Sequence, residues 1–329
     1  MQRRFRQMLV LAMAGLVFAI ASGTSQAATP APRLLALYQP VMHFDPLEKF
    51  RPASVQSFIA DSDLERLTAP NTWTVVDSSP EPGDLPAPGT GIWRLNQDSC
   101  TPAASLGGLD CYAAAWGEGS GGRVVYGHVA HDGDHTVLEY WFFYYDDVYS
   151  YAYPPTNFIW QAHEGDWEEV NVVLDGNEQP VSAAYSQHCL GQTRTWANTP
   201  KADGTHPVVY VALGSHANYF TPGTHPINVA CVPPPALAIL NGLGLPPPAD
   251  HVLEGPVIGP ASIEGAAAPI HMIGDDTPWV DFDGFWGELQ YFHAPPPINT
   301  VPFGTSPVGP AQHPVWSHPL ATIATWPAS

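Results

Sequence analysis

Basic residues are scarce in this sequence. Its 329 residues hold 11 Lys+Arg against 31 Asp+Glu, a formal net charge of −20 at pH 7. A surface of that sign repels phosphate backbones, which sets nucleic-acid binding aside. Cysteine is scarce too: Cys100, Cys111, Cys189 and Cys231 are the only four, and no pair has the CxxC spacing of a zinc knuckle. They fit disulfides in an oxidising compartment. Of the three possible pairings, Cys100–Cys111 with Cys189–Cys231 is favoured, closing one small loop and one larger one. There is no GxSxG elbow, and cysteines committed to disulfides leave no obvious nucleophile. Long apolar runs are missing as well. Met8 to Ile20 is short for a membrane span. With Arg3, Arg4 and Arg6 before it and Ser25-Gln26-Ala27 after it, residues 1–27 read as a secretory signal peptide. The expectation is a secreted protein, extracellular or periplasmic, without a transmembrane segment.

Long helices are disfavoured by 37 prolines and 29 glycines spread along the chain. Hydrophobic residues make up 45% and aromatics 11%, enough for a core. No stretch reads as a linker, so residues 28–329 are expected to form a single domain with a Pro-rich C-terminal extension. The predicted fold is mainly β, an antiparallel β-sandwich with long Pro/Gly-rich loops and a few short helices. A helix is expected over Ser54 to Leu67, capped by Ser54, and a short one over Ala236 to Leu245. A strand from Leu34 is broken at Pro40. Arg123 to Ala130 and Thr136 to Tyr145 should form a hairpin around Asp132-Gly133-Asp134. His128, His131, Asp132, Asp134 and His135 resemble a metal-binding string, but at a hairpin tip these are ordinary turn residues. Further strands are expected at Asp166 to Leu174, Val181 to His188 and Val208 to Leu213.

What is present in abundance is chemistry in the middle of the chain: Tyr140-Trp-Phe-Phe-Tyr-Tyr-Asp-Asp147, then His163-Glu-Gly-Asp-Trp-Glu168. Side chains two apart in a strand share a face, so Asp166 and Glu168 point the same way. Gly165 allows a bend that folds His163 back over them from the preceding loop. The bland alternative is the wet face of a half-buried strand. Asp147, His188 and His216 fall at neighbouring strand ends and could converge on the same place. Asp147, His163, Asp166 and Glu168 then make a divalent-cation set. Its mostly hard oxygen donors suit calcium or magnesium first, manganese next, and zinc if His188 or His216 joins. Should the protein be an enzyme, His188 and His216 are the catalytic candidates. Asp166 and Glu168 are too close for a glycosidase pair, which needs about 5 Å or more.

These motifs, with Tyr185-Ser-Gln-His188 and His206-Pro-x-Val-Tyr-Val-Ala-x-Gly-Ser-His-Ala217, resemble the Vps62-related proteins. The resemblance extends to Tyr38-x-Pro-Val-x-x-Phe-Asp-Pro-x-Glu48 and Phe282-Asp-Gly-Phe-Trp-Gly287, and covers nearly the whole mature chain. More distantly, the central motif is similar to the Gly-His-Arg-His-Asp-Trp-Glu heptad of the necrosis-inducing Nep1-like proteins, a metal-binding motif on a β-sandwich. His163, Asp166 and Glu168 match its first histidine, aspartate and glutamate, and Asp147 the aspartate that precedes it. Glu164-Gly165 replaces the heptad's Arg-His, so the fourth ligand stays open. Together the motifs and the resemblance imply a secreted divalent-metal-binding protein that recognises a cell-surface glycan, glycolipid or other small polar ligand, with cytolysis carried by the Nep1-like resemblance alone. The alternatives are a metal-dependent hydrolase of an ester, phosphoester or glycan, and a structural envelope protein. The sequence gives no oligomeric state.

Overall fold

The computed structural model describes residues 28–97, 123–150, 160–263, 265–288, 291–293, 299–302 and 306–329. The signal-peptide reading and the Cys100–Cys111 pairing lie outside the described residues. The expected Cys189–Cys231 disulfide is formed. No described helix is long and apolar enough to cross a membrane, a statement that leaves β-barrels untouched.

The fold is mainly β and is organised around two long antiparallel strands, His135–Ser150 and Trp160–Leu174, whose register runs from Thr136 opposite Leu174 to Ser150 opposite Trp160. Val125–Asp132 and then Ile270–Met272 extend the sheet on one side. On the other, Tyr291–His293 pairs with residues 160–162 and Pro180–Gln187 with residues 170–174. Residues 137–147 and 162–174 are buried without a break, because the sheet is covered on both faces. One face carries the smaller sheet in which Val41–Phe44 lies parallel to His206–Val211. Phe44 meets Tyr144 across that interface, and Phe220 stacks on Tyr185 at 3.8 Å. The other face takes the helix Val55–Ala60 and the segment around Trp279 and Trp286. Phe58 contacts Phe143 at 4.8 Å, and Trp167 stacks on Trp279 at 5.7 Å. Tyr144 and Phe143 thus serve opposite layers, as period-two alternation requires. The sandwich expected from the sequence is present, with antiparallel ladders at the centre of the large sheet and parallel pairs elsewhere, one of them inside the smaller sheet.

Two local expectations are corrected, and a third is met with its start shifted by two residues. The helix expected over Ser54 to Leu67 stops at Ala60, and Ser62–Ala69 is a strand paired with Trp93–Gln97. Val55, Phe58 and Ile59 bury one helical turn, after which Leu64 is needed on the face of a strand. The region before Pro40 is the helix Ala31–Leu37, and the strand Val41–Phe44 follows it. The Ala236 to Leu245 helix is found at Pro234–Gly242, where prolines occupy the first turn that tolerates them. The hairpin and its tip are as expected. His131 bonds Thr136 and His135 pairs with Asp134, while His128 is drawn inward to Glu139.

Glu139 is fully buried, accepting from Trp141 Nε1 at 3.0 Å and facing His128 Nδ1 at 3.0 Å. Burial raises its pKa, and the His128 contact only partly opposes this. A carboxyl with a raised folded-state pKa stabilises the fold while protonated and loses that contribution as pH rises from the ordinary glutamate value of 4.5 through the raised one. The stability of wild type relative to Glu139→Gln should therefore decline as pH rises through that window. Urea melts of both proteins from acid to neutral pH check this, and parallel profiles would refute it.

Candidate metal centre and its surroundings

Strict alternation would place His163 and Asp166, three residues apart, on opposite faces. Gly165 adopts φ 61°, in the left-handed region that costs glycine nothing, and the alternation slips by one residue there. Glu164 turns to the Trp286 layer, where its Oε2 accepts from the backbone N–H groups of Gln97 and Glu288, both at 3.1 Å. His163 and Asp166 both emerge on the other face. A Cβ on Gly165 would lie 2.0 Å from the Trp286 carbonyl oxygen, so this close approach also demands glycine. The sequence expectation of a loop histidine is thus replaced by one inside the strand, directly opposite Asp147.

Asp147, His163 and Asp166 each offer one donor atom, and these atoms lie within 4.8 Å of one another, the one such group among the described residues. His163 Nδ1 donates to the Gly165 carbonyl at 2.7 Å. That orients the ring and turns Nε2 toward Asp147 Oδ2, 3.6 Å away. Asp147 is 6% exposed, and its Oδ1 has no hydrogen-bond partner among the described residues. Burial pushes its pKa up to about 7, although the neighbouring His163 pulls the other way. A buried carboxylate in this condition lacks positive charge, and a hard cation would supply it.

Asp166 is held from behind. Its Oδ2 lies 2.9 Å from Nδ1 of His216, whose Nε2 faces Glu48 Oε1 at 3.5 Å. The imidazole is completely buried and stacks on Tyr144 at 3.8 Å. Burial lowers its pKa, but Glu48 and then Asp166 outweigh this and raise it to about 10. Glu48 is itself fixed by the backbone N–H groups of Phe50 and Gly214, at 2.8 and 2.7 Å. His216, a catalytic candidate in the sequence, is sealed from solvent and acts on Asp166.

Glu168 lies further along the same face and outside the three-residue group. Its Oε2 accepts from the Ser186 hydroxyl and from Asn218 Nδ2 at 3.3 Å. Burial, then the nearby Asp166, keep its pKa well above the ordinary value.

His188 stands close by. Its Nε2 bonds Asp250 Oδ2 at 2.8 Å, and Asp250 also accepts from Ser215 at 2.7 Å and Tyr219 at 2.5 Å. Burial opposes charging of His188, while Asp250 raises its pKa. His188 borders three cavities of about 50, 530 and 290 Å³. Sequence reasoning missed Glu48 and Asp250, the carboxylates that anchor the two histidines. Glu48 carries a weak signal, an acid just after a short strand in a run containing Asp45-Pro46. Asp250 carries none, since it follows a proline run and reaches His188 from 62 residues away.

No protein-family model and no curated protein matches the chain. Solved structures of Nep1-like proteins do. NLPPya in complex with mannosamine is 14% identical, over 75% of this chain and 76% of that one, at a TM-score of 0.36. Necrosis and Ethylene inducing Protein 2, from the causal agent of cocoa's Witches Broom disease, is 20% identical over 59% and 69% at 0.33. The non-toxic HaNLP3 protein is 12% identical over 73% of each chain, also at 0.33. These likenesses are distant in sequence and in superposition.

Proposed function

We propose that this chain is an exported divalent-cation-binding protein in which Asp147, His163 and Asp166 hold the ion and the ion helps to clamp a hydroxyl-rich ligand, the head group of a cell-surface glycan or glycolipid. The observation that carries the reading is the meeting of Asp147, His163 and Asp166 within 4.8 Å, with an orphaned buried oxygen on Asp147. Two carboxylates and an imidazole without thiolate favour calcium or magnesium, with manganese next. Three protein donors are fewer than such ions take, so positions remain for ligand hydroxyls. Glu168 adds a further carboxyl on the same face, and His216 and Glu48 set the direction of Asp166. Cytolysis would be a consequence of head-group binding, in keeping with the sequence resemblance to the heptad. Metal analysis of purified protein should give about one equivalent of divalent ion per chain, falling to background in Asp147→Asn and Asp166→Asn. Glycan-array binding should vanish with chelator and return with metal. If wild type and both variants hold equally little metal while folding equally well, the reading fails.

One observation favours a second reading, a metal-dependent hydrolase. His188 is oriented by Asp250 and borders the cavities, the arrangement expected of a general acid or base. Ester and phosphoester substrates turned over by wild type and not by His188→Gln, at equal metal content, would support it. No turnover above background would remove it.

A further inference from the structure

The largest of the three cavities, about 530 Å³, lies over a gap in the central sheet. Along the outer edge of Trp160–Leu174, Tyr291–His293 pairs as far as Ala162 and Pro180–Gln187 resumes at Val170. Among the described residues no strand pairs with the edge between them, and residues of both faces reach one cleft: Glu168 from one side, Trp167 and Glu169 from the other. Trp141 completes the floor. Trp326 forms the opposite wall and packs over Gly191, where a Cβ would come within 2.3 Å of its ring.

Three indoles, two carboxylates and the imidazoles of His188, His313 and His318 line this cleft, and among the described residues no lysine or arginine does. His313 Nε2 is directed at the Val308 carbonyl at 3.1 Å. Glu169 is 4% exposed, yet its Oε2 has no hydrogen-bond partner among the described residues. Glu168 Oε2 is already occupied by Ser186 and Asn218. The positive charge of His188 is spoken for by Asp250. An anion would meet two acidic groups, and a ligand without a hydrogen-bond donor would leave Glu169 Oε2 unpaired. A cation that donates N–H bonds, on a body able to lie against tryptophan rings, answers both features.

We infer that this cleft binds a primary organic ammonium ion with an apolar or aromatic body, the ammonium seated on Glu169 and the body against Trp141, Trp167 and Trp326. The inference is independent of the proposed metal, because Glu169 lies outside the Asp147, His163 and Asp166 group.

Phenethylammonium is a suitable probe, with 2-phenylethanol as its neutral counterpart, followed by calorimetry and tryptophan fluorescence on the full chain with and without chelator. Phenethylammonium should bind saturably whether or not chelator is present, and 2-phenylethanol about 10-fold or more weakly. Glu169→Gln should lose about 10-fold in affinity for the ammonium and little for the alcohol, with its fold verified by melting. Trp326→Ala, at the half-buried wall, should weaken both ligands. Equal binding of the two probes would overturn the inference in favour of a merely apolar groove. Loss of binding with chelator would transfer it to the metal centre, and absence of saturable binding or an unaffected Glu169→Gln would end it.

Discussion

Replacing His216 with alanine is expected to destabilise the protein by about 3–5 kcal/mol, the cost of stripping a buried charge network of its cation. Asp166 and Glu48 approach this imidazole from its two sides, at 2.9 and 3.5 Å. Without it, two carboxylates would share a water-poor space. Denaturant melts measure the loss, and two further variants separate its causes. Adding Glu48→Gln to His216→Ala should recover part of the stability by removing one of the stranded charges. His216→Gly should be no worse than His216→Ala, since the residue sits at φ 53°, where alanine is strained and glycine is not. If His216→Ala stays within about 1 kcal/mol of wild type, the ring is not the counter-ion of this network. Calcium or magnesium should restore some stability to the variant through Asp166, and none through Glu48.

The second large effect is expected from Gly165→Ala. The added carbon would fall 2.0 Å from the Trp286 carbonyl at a backbone angle of φ 61°. Trp286 cannot readily retreat: its N–H is bonded to the Pro307 carbonyl at 2.8 Å and it pairs with Leu95. Strain and clash together should cost on the order of 3 kcal/mol or more. Relief requires the strand to regain regular alternation, which would part His163 from Asp166. Stability and metal content should therefore fall together in this variant, whereas Asp166→Asn should lose metal with a smaller effect on folding. A stable Gly165→Ala protein with full metal content would show that the slip in alternation is dispensable.

Much of the sheet was legible because its evidence is local. The aromatic run from Tyr140, the Asp-Gly turn and the apolar run after Glu168 specify paired strands through periodicity and turn chemistry. The placement of Asp147, His163 and Asp166 was legible for the same reason, since the two strands that carry them pair directly. Their mutual orientation was less so. Period-two reasoning joins Asp166 to Glu168, while the reversal at Gly165 joins Asp166 to His163 instead. The glycine was visible as an irregularity, but its conformation depends on the Trp286 carbonyl, which arrives from more than a hundred residues away. Glu48 and Asp250 were hidden for a related reason. Each belongs to a different layer, and nothing in the sequence around His216 or His188 says which acid will be behind it. The short helix Val55–Ala60 shows the limit from the other side: a helical pattern extended to Leu67 gave way once pairing with Trp93–Gln97 offered Ser62–Ala69 a place in a sheet.

The Cys189–Cys231 bridge joins two cysteines 42 residues apart. In the chain-entropy account a loop of that size is worth about 4 kcal/mol, felt through the unfolded state. The enclosed segment contains Ser215, His216, Asn218 and Tyr219, and His188 stands immediately before the bridge. Every group that steadies Asp166, Glu168 and Asp250 from that segment is thus tethered at both ends by one covalent bond. A chain whose thiols stayed reduced would retain its sheet-borne carboxylates while the braces behind them lost that tether, so the oxidation state of two cysteines bears on groups that neither of them touches.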